Sequence, residues 1–281
     1  MTKLRRSFLF VPAHKSDLAA KASKLPADVV VLELEDGVSP EHKSLAREEA
    51  GRLLSEVDFA NREVALRVNP ISTLYGVADL MALAKWPRKP DLVILPKVES
   101  AGEVCIYDDL LKEMNASCEL MPVVESSRGL KELSSIVMAS SRITATSLGG
   151  ADLSAELGCR YVWEPMLTYR AMVVAAGALV GISAIDPPYL NIKDESGLLE
   201  ECWRSRDLGF CGKICIHPSQ IEAVNRAFSP SPEEVEKAKK IVEAARAQGS
   251  GAIVMDGRMV DMAIVKAAQR LVAMADRLGM S

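Results

Sequence analysis

Charged side chains follow several of the apolar runs in this sequence. The run Val29–Leu32, for example, leads directly into Glu33, Glu35 and Asp36. Burial penalises an unpaired charge, so carboxylates at the end of a core segment need a reason to be there. In a barrel of parallel strands, the side chains at the carboxyl ends of the strands form the catalytic site. The same pattern recurs after other apolar runs, at Arg67 and Asn69, Lys97 and Glu99, Glu125, Asp152 and His217.

Two of these acids, Glu125 and Asp152, are candidate metal ligands. They follow neighbouring predicted strands, so their side chains can converge on one point. Two carboxylates leave the other positions of an octahedral ion to water and substrate, which is how proteins usually hold Mg²⁺ or Mn²⁺. Zinc is disfavoured, because neither histidine nor cysteine accompanies the pair. The alternative is that Asp152 caps the helix that follows the segment SLGG.

Arg67 is a candidate for binding the substrate. Its guanidinium can grip a carboxylate or stabilise an enolate oxygen beside the metal. An ion pair with Glu35 or Asp36 is the alternative, and the two roles are compatible. Lys97 is interpreted as a structural charge, because no feature of the sequence indicates the lowered pKa that a Schiff-base lysine requires.

Three further titratable residues could reach the predicted site. His14 lies just beyond the first predicted strand, on the side of the active site. His217 precedes a proline at a strand end, where we favour a hydrogen-bonded structural group over a general base. Asp261 lies between methionines in the C-terminal segment, and a cap folded over the barrel could bring it to the substrate.

Eight short runs rich in Val, Ile and Leu alternate with longer segments of helical periodicity. This alternation is typical of parallel strands covered by helices, with a repeat of roughly 30 residues. It predicts an α/β fold, a (β/α)₈ TIM barrel with a small C-terminal cap. A doubly wound sheet is less favoured, because no G-x-G-x-x-G follows the first strand. The predicted strands are Phe8–Pro12, Val29–Glu35, Val64–Asn69, Leu92–Val98, Glu119–Ser126, Ile143–Gly150, Ser183–Pro188 and Lys213–Pro218.

The predicted barrel domain comprises residues 1–219, and residues 220–281 form a C-terminal helical cap. Within the cap, the segment FSPSPEEVEK has the proline and acids of a helix N-terminus. The glycine-bounded segment GSGAIVMDGRMVD predicts a β-like excursion with an Asp-Gly turn. An amphipathic helix that ends at Gly279 completes the chain.

The composition favours a small molecule as the partner of this protein over nucleic acid or an anionic membrane. The chain has 281 residues, 49% of them hydrophobic, and a formal net charge of −4. This charge gives no basic surface for nucleic acid or anionic membrane. The N-terminal apolar run stops at Pro12, too soon for a signal peptide, and no run reaches the length of a membrane span. We therefore expect a cytoplasmic protein.

Six scattered cysteines, none in a C-x-x-C pair, fit reduced thiols in the cytoplasm. Cys211 and Cys215 could bind a metal with His217. Cys215, however, lies inside an apolar run where cysteine commonly fills the core, so we favour the core interpretation.

The chain resembles the citrate lyase β-subunit-like branch of the HpcH/HpaI aldolase superfamily from Arg6 to about Leu271. Within that branch it looks most like the citramalyl-CoA and malyl-CoA lyases. Nine blocks carry the resemblance, in order: RSFLFVPAHKSDL, LELEDGVSPEHKSLAR, LRVNP, LPKVES, VVESSRGL, GGADLSAELG, GFCGKICIHPSQI, FSPSPEEVEKAKKIVEA and MDGRMVDMAIVKAAQRL.

The resemblance implies a (β/α)₈ barrel, a C-terminal cap, bound Mg²⁺ and usually a homotrimer. Glu125 and Asp152 would hold the metal, and Arg67 would contact a carboxylate or enolate oxygen of the substrate. Asp261 would be the acid/base that the cap of a neighbouring subunit presents. The residues along the coenzyme A thioester would come from the block Phe10–Asp17, namely Phe10, Pro12 and His14.

Two positions depart from the family pattern. The frequent V-P-G is V-P-A here, at Ala13, and G-G-E-D is G-G-A-D, at Ala151. The second change removes a carboxylate beside a metal ligand, and it bears on the identity of the substrate more than on the metal.

We expect cleavage of a 3-hydroxy-3-carboxyacyl-CoA into acetyl-CoA and a 2-oxo acid. Pyruvate is the first choice for this 2-oxo acid, and glyoxylate is the second. Arg67 would offset the negative charge of the thioester enolate, and Asp261 would protonate it. Asp36 would orient Arg67 or a metal-bound water. Two alternatives remain: a citrate lyase β-chain that acts on a carrier-protein thioester, and a non-catalytic scaffold barrel.

Overall fold

The computed structural model describes residues 3–248, 253–255 and 258–280. Its core is a closed barrel of eight parallel strands that pair in sequence order, and β8 returns to pair with β1. The predicted (β/α)₈ barrel is thus confirmed. The strands are β1 (Ser7–Pro12), β2 (Val29–Glu33), β3 (Glu63–Arg67), β4 (Leu92–Leu95), β5 (Glu119–Val124), β6 (Ala145–Leu148), β7 (Ser183–Asp186) and β8 (Gly212–Cys215).

Helices follow the strands along the chain. Four of them begin at a side-chain cap, in which Thr73, Ser100, Ser126 or Asp194 accepts a hydrogen bond from the amide three residues later. The helices of the barrel are α1 (Ser16–Ala22), α2 (Lys43–Glu56), α3 (Leu74–Lys85), α4 (Ala101–Glu113), α5 (Ser127–Lys131), α6 (Leu133–Val137), α7 (Gly150–Leu157), α8 (Trp163–Val180) and α9 (Glu195–Leu208).

Side-chain alternation along the strands fills the barrel with apolar groups. Each of the eight strands contributes to one buried cluster, consisting of Phe8, Val29, Val31, Ala65, Leu92, Ile94, Met121, Val123, Ala145, Ile185 and Ile214. Because successive side chains point to opposite faces, the residue two positions later points to the same interior. Glu33 therefore continues the series of Val29 and Val31, and Glu125 continues the series of Met121 and Val123.

The predicted strands extend too far at their carboxyl ends. β2 ends at Glu33, not Glu35, and β4 ends at Leu95, not Val98. After β4 the chain turns at Lys97, whose φ of +51° lies in the left-handed region. A strand cannot continue through that conformation, so the polar residues after β4 belong to a loop.

The chain divides into two compact units, the first ending at Asn225 and the second beginning at Arg226. Asn225 donates to the carbonyl oxygen of Pro26 and accepts from the Ser7 hydroxyl. The boundary falls within α10 (Ile221–Ala227), and the elements after it are α11 (Pro232–Gln248), the antiparallel pair β9 (Ile253–Met255) and β10 (Arg258–Val260), and α12 (Met262–Arg277). None of the helices in the described part of the chain is long and apolar enough to cross a membrane.

An ion-pair network closes the amino end of the barrel, where β3 and β5 begin. Arg5 is almost fully buried, and its Nε lies 2.6 Å from Oε2 of Glu63. The same guanidinium contacts Glu119 and donates to the Thr144 hydroxyl at 2.9 Å. Each partner belongs to a different part of the barrel wall, so this single side chain ties β3, β5 and the approach to β6 together.

The Arg5→Met substitution should destabilise the protein by about 3 kcal/mol, because it leaves the buried Glu63 carboxylate without its main partner. The control is Arg52→Met on α2, whose ion pairs with Glu49 and Glu56 lie at the surface and contribute little to stability. Urea unfolding of both variants measures the difference. Equal unfolding midpoints for the two variants would contradict the role assigned to Arg5.

Candidate active site

A cavity of about 310 Å³ opens at the carboxyl ends of the strands. Its wall combines apolar interior residues with charged side chains from the strand ends. Of the predicted site residues, six line this cavity: Phe10, Pro12, Asp36, Arg67, Glu125 and Asp152. Glu33, Gly149, Gly150 and Ala151 also contribute to the wall. The mouth of the barrel therefore brings together most of the residues that the sequence singled out.

Arg67 is held by two carboxylates from the end of β2. Its Nε lies 2.5 Å from Oε2 of Glu33, and its Nη1 lies 3.0 Å from Oε2 of Glu35. The guanidinium also lies over the Phe10 ring, 5.0 Å from its centroid. Burial alone would favour the neutral form, but the attraction of Glu33 and Glu35 raises the pKa of Arg67. Arg67 is thus a fixed, permanently charged group in the cavity wall.

The ion pair predicted for Arg67 is present, although its partners differ in part from the prediction. Glu35 is one partner, as expected, and Glu33 is the other. Asp36 is exposed and contacts Lys97, with 3.0 Å between Oδ2 and Nζ. The observed contacts therefore give the orientation of Arg67 to Glu33 and Glu35.

Glu33 was missed as a site residue, although its spacing carried a signal. Positions 33 and 35 share one face of an extended chain, and both acids are buried. Burial raises the pKa of Glu33 above its usual range, and the nearby Arg67 opposes that shift. Glu33 and Glu35 thus hold the Arg67 guanidinium in place.

Lys43 supports the loop that carries these acids. Its ammonium donates to the carbonyl oxygens of Leu34 and Glu35, both at 2.7 Å, and to Oδ1 of Asn69 at 2.6 Å. Asn69 in turn donates to the Leu34 carbonyl oxygen at 2.9 Å. These bonds satisfy buried backbone acceptors just beyond β2 and β3, where strand pairing has ended.

Lys97 lies among the carboxylates of the mouth. Its Nζ contacts Oε1 of Glu35, lies 3.0 Å from Asp36 and lies 3.4 Å from Oδ2 of Asp152. Partial burial opposes its charged form, but the bonds to Glu35 and Asp36 raise the pKa of Lys97 above its usual range. Lys97 is therefore an ammonium, consistent with the structural charge expected from the sequence.

Glu125 is a buried carboxylate at the end of β5. Its Oε1 accepts from the Lys97 amide at 3.2 Å, and its side chain packs against Gly149. Burial and the negative charge of Glu35 raise the pKa of Glu125 to about 8, against the opposing effects of Lys97 and Arg67. Such a carboxylate requires a positive partner to remain ionised near neutral pH.

The carboxylate oxygens at the mouth of the barrel are suitable ligands for a hard divalent cation. Glu125 and Asp152 line the same cavity, and carboxylates outnumber cationic side chains around it. The described residues contain no group of three or more His, Cys, Asp and Glu side chains placed to hold a metal. A cation bound here would therefore take its other ligands from water and substrate, as Mg²⁺ commonly does.

Asp152 does not cap the helix that follows β6. The N-cap of α7 is Gly149, without a side-chain hydrogen bond, and Asp152 lies in the first turn. Its carboxylate faces Lys97 instead. The alternative role considered from the sequence is thus not the one the structure displays.

His14 and Asp261 each have contacts within their own unit. The His14 ring stacks on the His42 ring, with 4.9 Å between centroids. Asp261 belongs to the second unit, where its exposed carboxylate caps α12 by accepting from the amides of Ala263 and Ile264. His14 is not among the residues that line the cavity.

The structural interpretations of His217 and Cys215 are confirmed. The His217 ring accepts from the Ser219 amide in a capping box with Gln220. Cys215 is fully buried on β8.

Comparison with known proteins agrees with this geometry. Residues 6–218 match the family model for HpcH/HpaI aldolase/citrate lyase. A (3S)-malyl-CoA thioesterase of Cereibacter sphaeroides is 34% identical, over 97% of this chain and 95% of that protein. An L-malyl-CoA/beta-methylmalyl-CoA lyase of Rhodobacter capsulatus is 31% identical, over 98% and 95%. The crystal structure of CitE from Mycobacterium tuberculosis with magnesium, acetoacetate and coenzyme A superposes with a TM-score of 0.81, at 32% identity, over 96% of this chain and 98% of that chain.

The Gly149→Ala substitution should weaken Mn²⁺ binding about tenfold or more, because the new Cβ would lie 2.3 Å from Cγ of Glu125 and displace its carboxylate. Backbone strain does not contribute, since the φ of Gly149 is −84°. The control is Gly102→Ala, where the nearest atom is Oγ of Ser100 at 3.8 Å. Calorimetric titration with Mn²⁺ tests both. Unchanged Mn²⁺ affinity in the Gly149 variant would contradict the prediction that Glu125 is a metal ligand.

Proposed function

This chain belongs to the HpcH/HpaI aldolase/citrate lyase family, and we propose that it is a Mg²⁺-dependent carbon–carbon lyase. Its substrate is a 3-hydroxy-3-carboxyacyl-CoA, which it cleaves into acetyl-CoA and a 2-oxo acid. The observation that carries this proposal is the convergence of Glu125, Asp152 and Arg67 on one cavity at the mouth of the barrel.

The family relationships support both the metal and the thioester. The related lyase of Rhodobacter capsulatus is named for L-malyl-CoA and β-methylmalyl-CoA. The related protein of Mycobacterium tuberculosis crystallised with magnesium, acetoacetate and coenzyme A. We propose pyruvate as the 2-oxo acid product and glyoxylate as the second choice.

The proposed reaction breaks the bond between C2 and C3 of the acyl chain. The hydroxyl oxygen on C3 becomes the ketone of the 2-oxo acid and loses its proton. The electron pair of the broken bond forms the enolate of the acetyl thioester, and protonation of C2 completes acetyl-CoA. One proton leaves and one is added, so the reaction is balanced.

Glu125 and Asp152 would hold Mg²⁺, which supplies Lewis-acid stabilisation of oxygen atoms that gain negative charge. Gly149 leaves room for the Glu125 carboxylate, and the Lys97 amide orients it. The two acids would leave positions on the ion for a carboxylate and a hydroxyl of the substrate.

Arg67 provides a second positive charge that is fixed before the substrate arrives. Glu33 and Glu35 hold its guanidinium, and the Phe10 ring covers one face. A preorganised charge stabilises a developing enolate without a cost of reorganisation at the moment of reaction. The apolar neighbours Phe10 and Pro12 would lie along the thioester, with His14 farther out.

Asp261 is the proposed acid that protonates the enolate. Its cap position at the start of α12 leaves the carboxylate exposed. We propose a homotrimer in which Asp261 serves the cavity of a neighbouring subunit. We also propose a cytoplasmic location, which the six free cysteines support.

A second candidate reaction is hydrolysis of the thioester, favoured by 34% identity to a (3S)-malyl-CoA thioesterase. A citrate lyase β-chain would differ instead in its acceptor, a carrier protein in place of free coenzyme A. The products therefore separate these alternatives: a lyase releases acetyl-CoA, whereas a thioesterase releases free coenzyme A.

Purified protein with Mg²⁺ should convert citramalyl-CoA or malyl-CoA to acetyl-CoA and a 2-oxo acid, and chelation of the metal should abolish the activity. Glu125→Gln should lower kcat/KM about 100-fold or more, because it removes a charged ligand. The exposed Glu113→Gln serves as control. Release of free coenzyme A would favour the thioesterase, and equal turnover by the Glu125 variant would contradict the metal site.

The Asp261→Asn substitution should lower kcat about 100-fold with little change in KM, because an amide cannot donate the proton. Asparagine caps a helix as well as aspartate, so α12 should keep its stability. Asp276→Asn, at an exposed position of the same helix, is the matched control. Steady-state kinetics with thermal unfolding tests the pair, and full activity in Asp261→Asn would assign the proton to another group.

A further inference from the structure

Lys97 is the side chain that links the two proposed metal ligands. Its amide donates to Oε1 of Glu125 at 3.2 Å, and its ammonium lies 3.4 Å from Oδ2 of Asp152. A single residue thus contacts one ligand through the backbone and the other through the side chain. The amide contact orients Glu125, but the contact of the ammonium with Asp152 has no role in the bond cleavage described above.

The backbone of Lys97 adopts a conformation that residues other than glycine rarely take. Its φ of +51° lies in the left-handed region, which is unfavourable for a residue with a Cβ. Such a conformation persists where surrounding contacts hold it, and here the Lys97 side chain ends in ion pairs with Glu35 and Asp36. The loop is therefore built to present an ammonium at this point.

The charge of this ammonium acts against a metal ion. A divalent cation on Asp152 must approach the carboxylate that already faces a positive charge at 3.4 Å. Like charges a few ångströms apart in a partly buried site repel one another substantially. Glu35 and Asp36 offer the ammonium two other carboxylates, so it can give up Asp152 without losing all its partners.

We propose that Lys97 is a positioning residue that competes with the divalent cation for Asp152 and thereby lowers the metal affinity of the substrate-free protein. This inference rests on the proposed function, because it takes Glu125 and Asp152 as the metal ligands. In the metal-free protein the ammonium holds Asp152 in place, and it yields Asp152 to the cation when the metal enters.

The sign of the effect separates this role from a purely structural one. If Lys97 only held the loop together, a neutral side chain at this position would loosen Glu125 and Asp152 and weaken metal binding. Competition predicts the opposite, since removal of the ammonium leaves Asp152, Glu35 and Asp36 with more uncompensated negative charge. Metal affinity in the absence of substrate therefore distinguishes competition for Asp152 from a purely structural role of Lys97.

The test is Mn²⁺ binding to the full chain without substrate, followed through the electron paramagnetic resonance signal of free Mn²⁺. Lys97→Met and Lys97→Gln should each bind Mn²⁺ about tenfold more tightly than wild type. Lys97→Arg keeps the charge and should stay within about twofold. Lys112→Met removes a positive charge from α4, where Lys112 pairs with Asp108 and Asp109, and controls for net charge.

A double variant, Lys97→Met with Glu125→Gln, shows whether the tighter site is the proposed one. Its affinity should fall below that of wild type. Unchanged or weaker binding in both neutral variants would overturn the role of Lys97, and so would tight binding that survives in the double variant. Wild-type protein that binds no Mn²⁺ at a Glu125-dependent site would overturn the proposed function, and this inference with it.

Discussion

Charge balance at the mouth of the barrel is the constraint on which the rest of the site depends. The alternation of side chains along β2, β3 and β5 points Glu33, Arg67 and Glu125 into the same interior that the apolar cluster fills below them. Buried charges are tolerated only when they are paired. Carboxylates nevertheless exceed cations around this cavity, and burial together with the negative charge of Glu35 raises the pKa of Glu125. A divalent cation would offset this excess of negative charge.

The cationic side chains of the mouth have separate tasks. Arg67 faces the cavity and is fixed by two acids, so it can act on a substrate. Lys43 is not among the residues that line the cavity, and it donates to backbone carbonyl oxygens of the β2 loop. The Lys97 ammonium lies between Glu35 and Asp152 and contacts both carboxylates. Glu35 pairs with both Arg67 and Lys97, so the two cationic side chains are electrostatically connected through this one carboxylate.

The sequence predicted the barrel and much of the mouth, because both follow from short-range patterns. Eight apolar runs with helical segments between them define the strands, and acids directly after those runs mark the carboxyl ends. What lay beyond prediction depends on tertiary geometry. The turn at Lys97 is left-handed, so its ammonium reaches across to Asp152, on a different strand end. Gly149 matters through its clearance from the Glu125 carboxylate, which no local pattern records.

In the proposed site, Glu125 and Asp152 share one divalent cation. Crystals grown with Mn²⁺, measured near the manganese absorption edge, test it most directly, since anomalous scattering locates the ion independently of any assumed ligand. We expect one strong peak at the carboxyl ends of the strands, within coordination distance of an oxygen atom from each of the two acids. A peak bound by only one of them, or by neither, would contradict the proposed site.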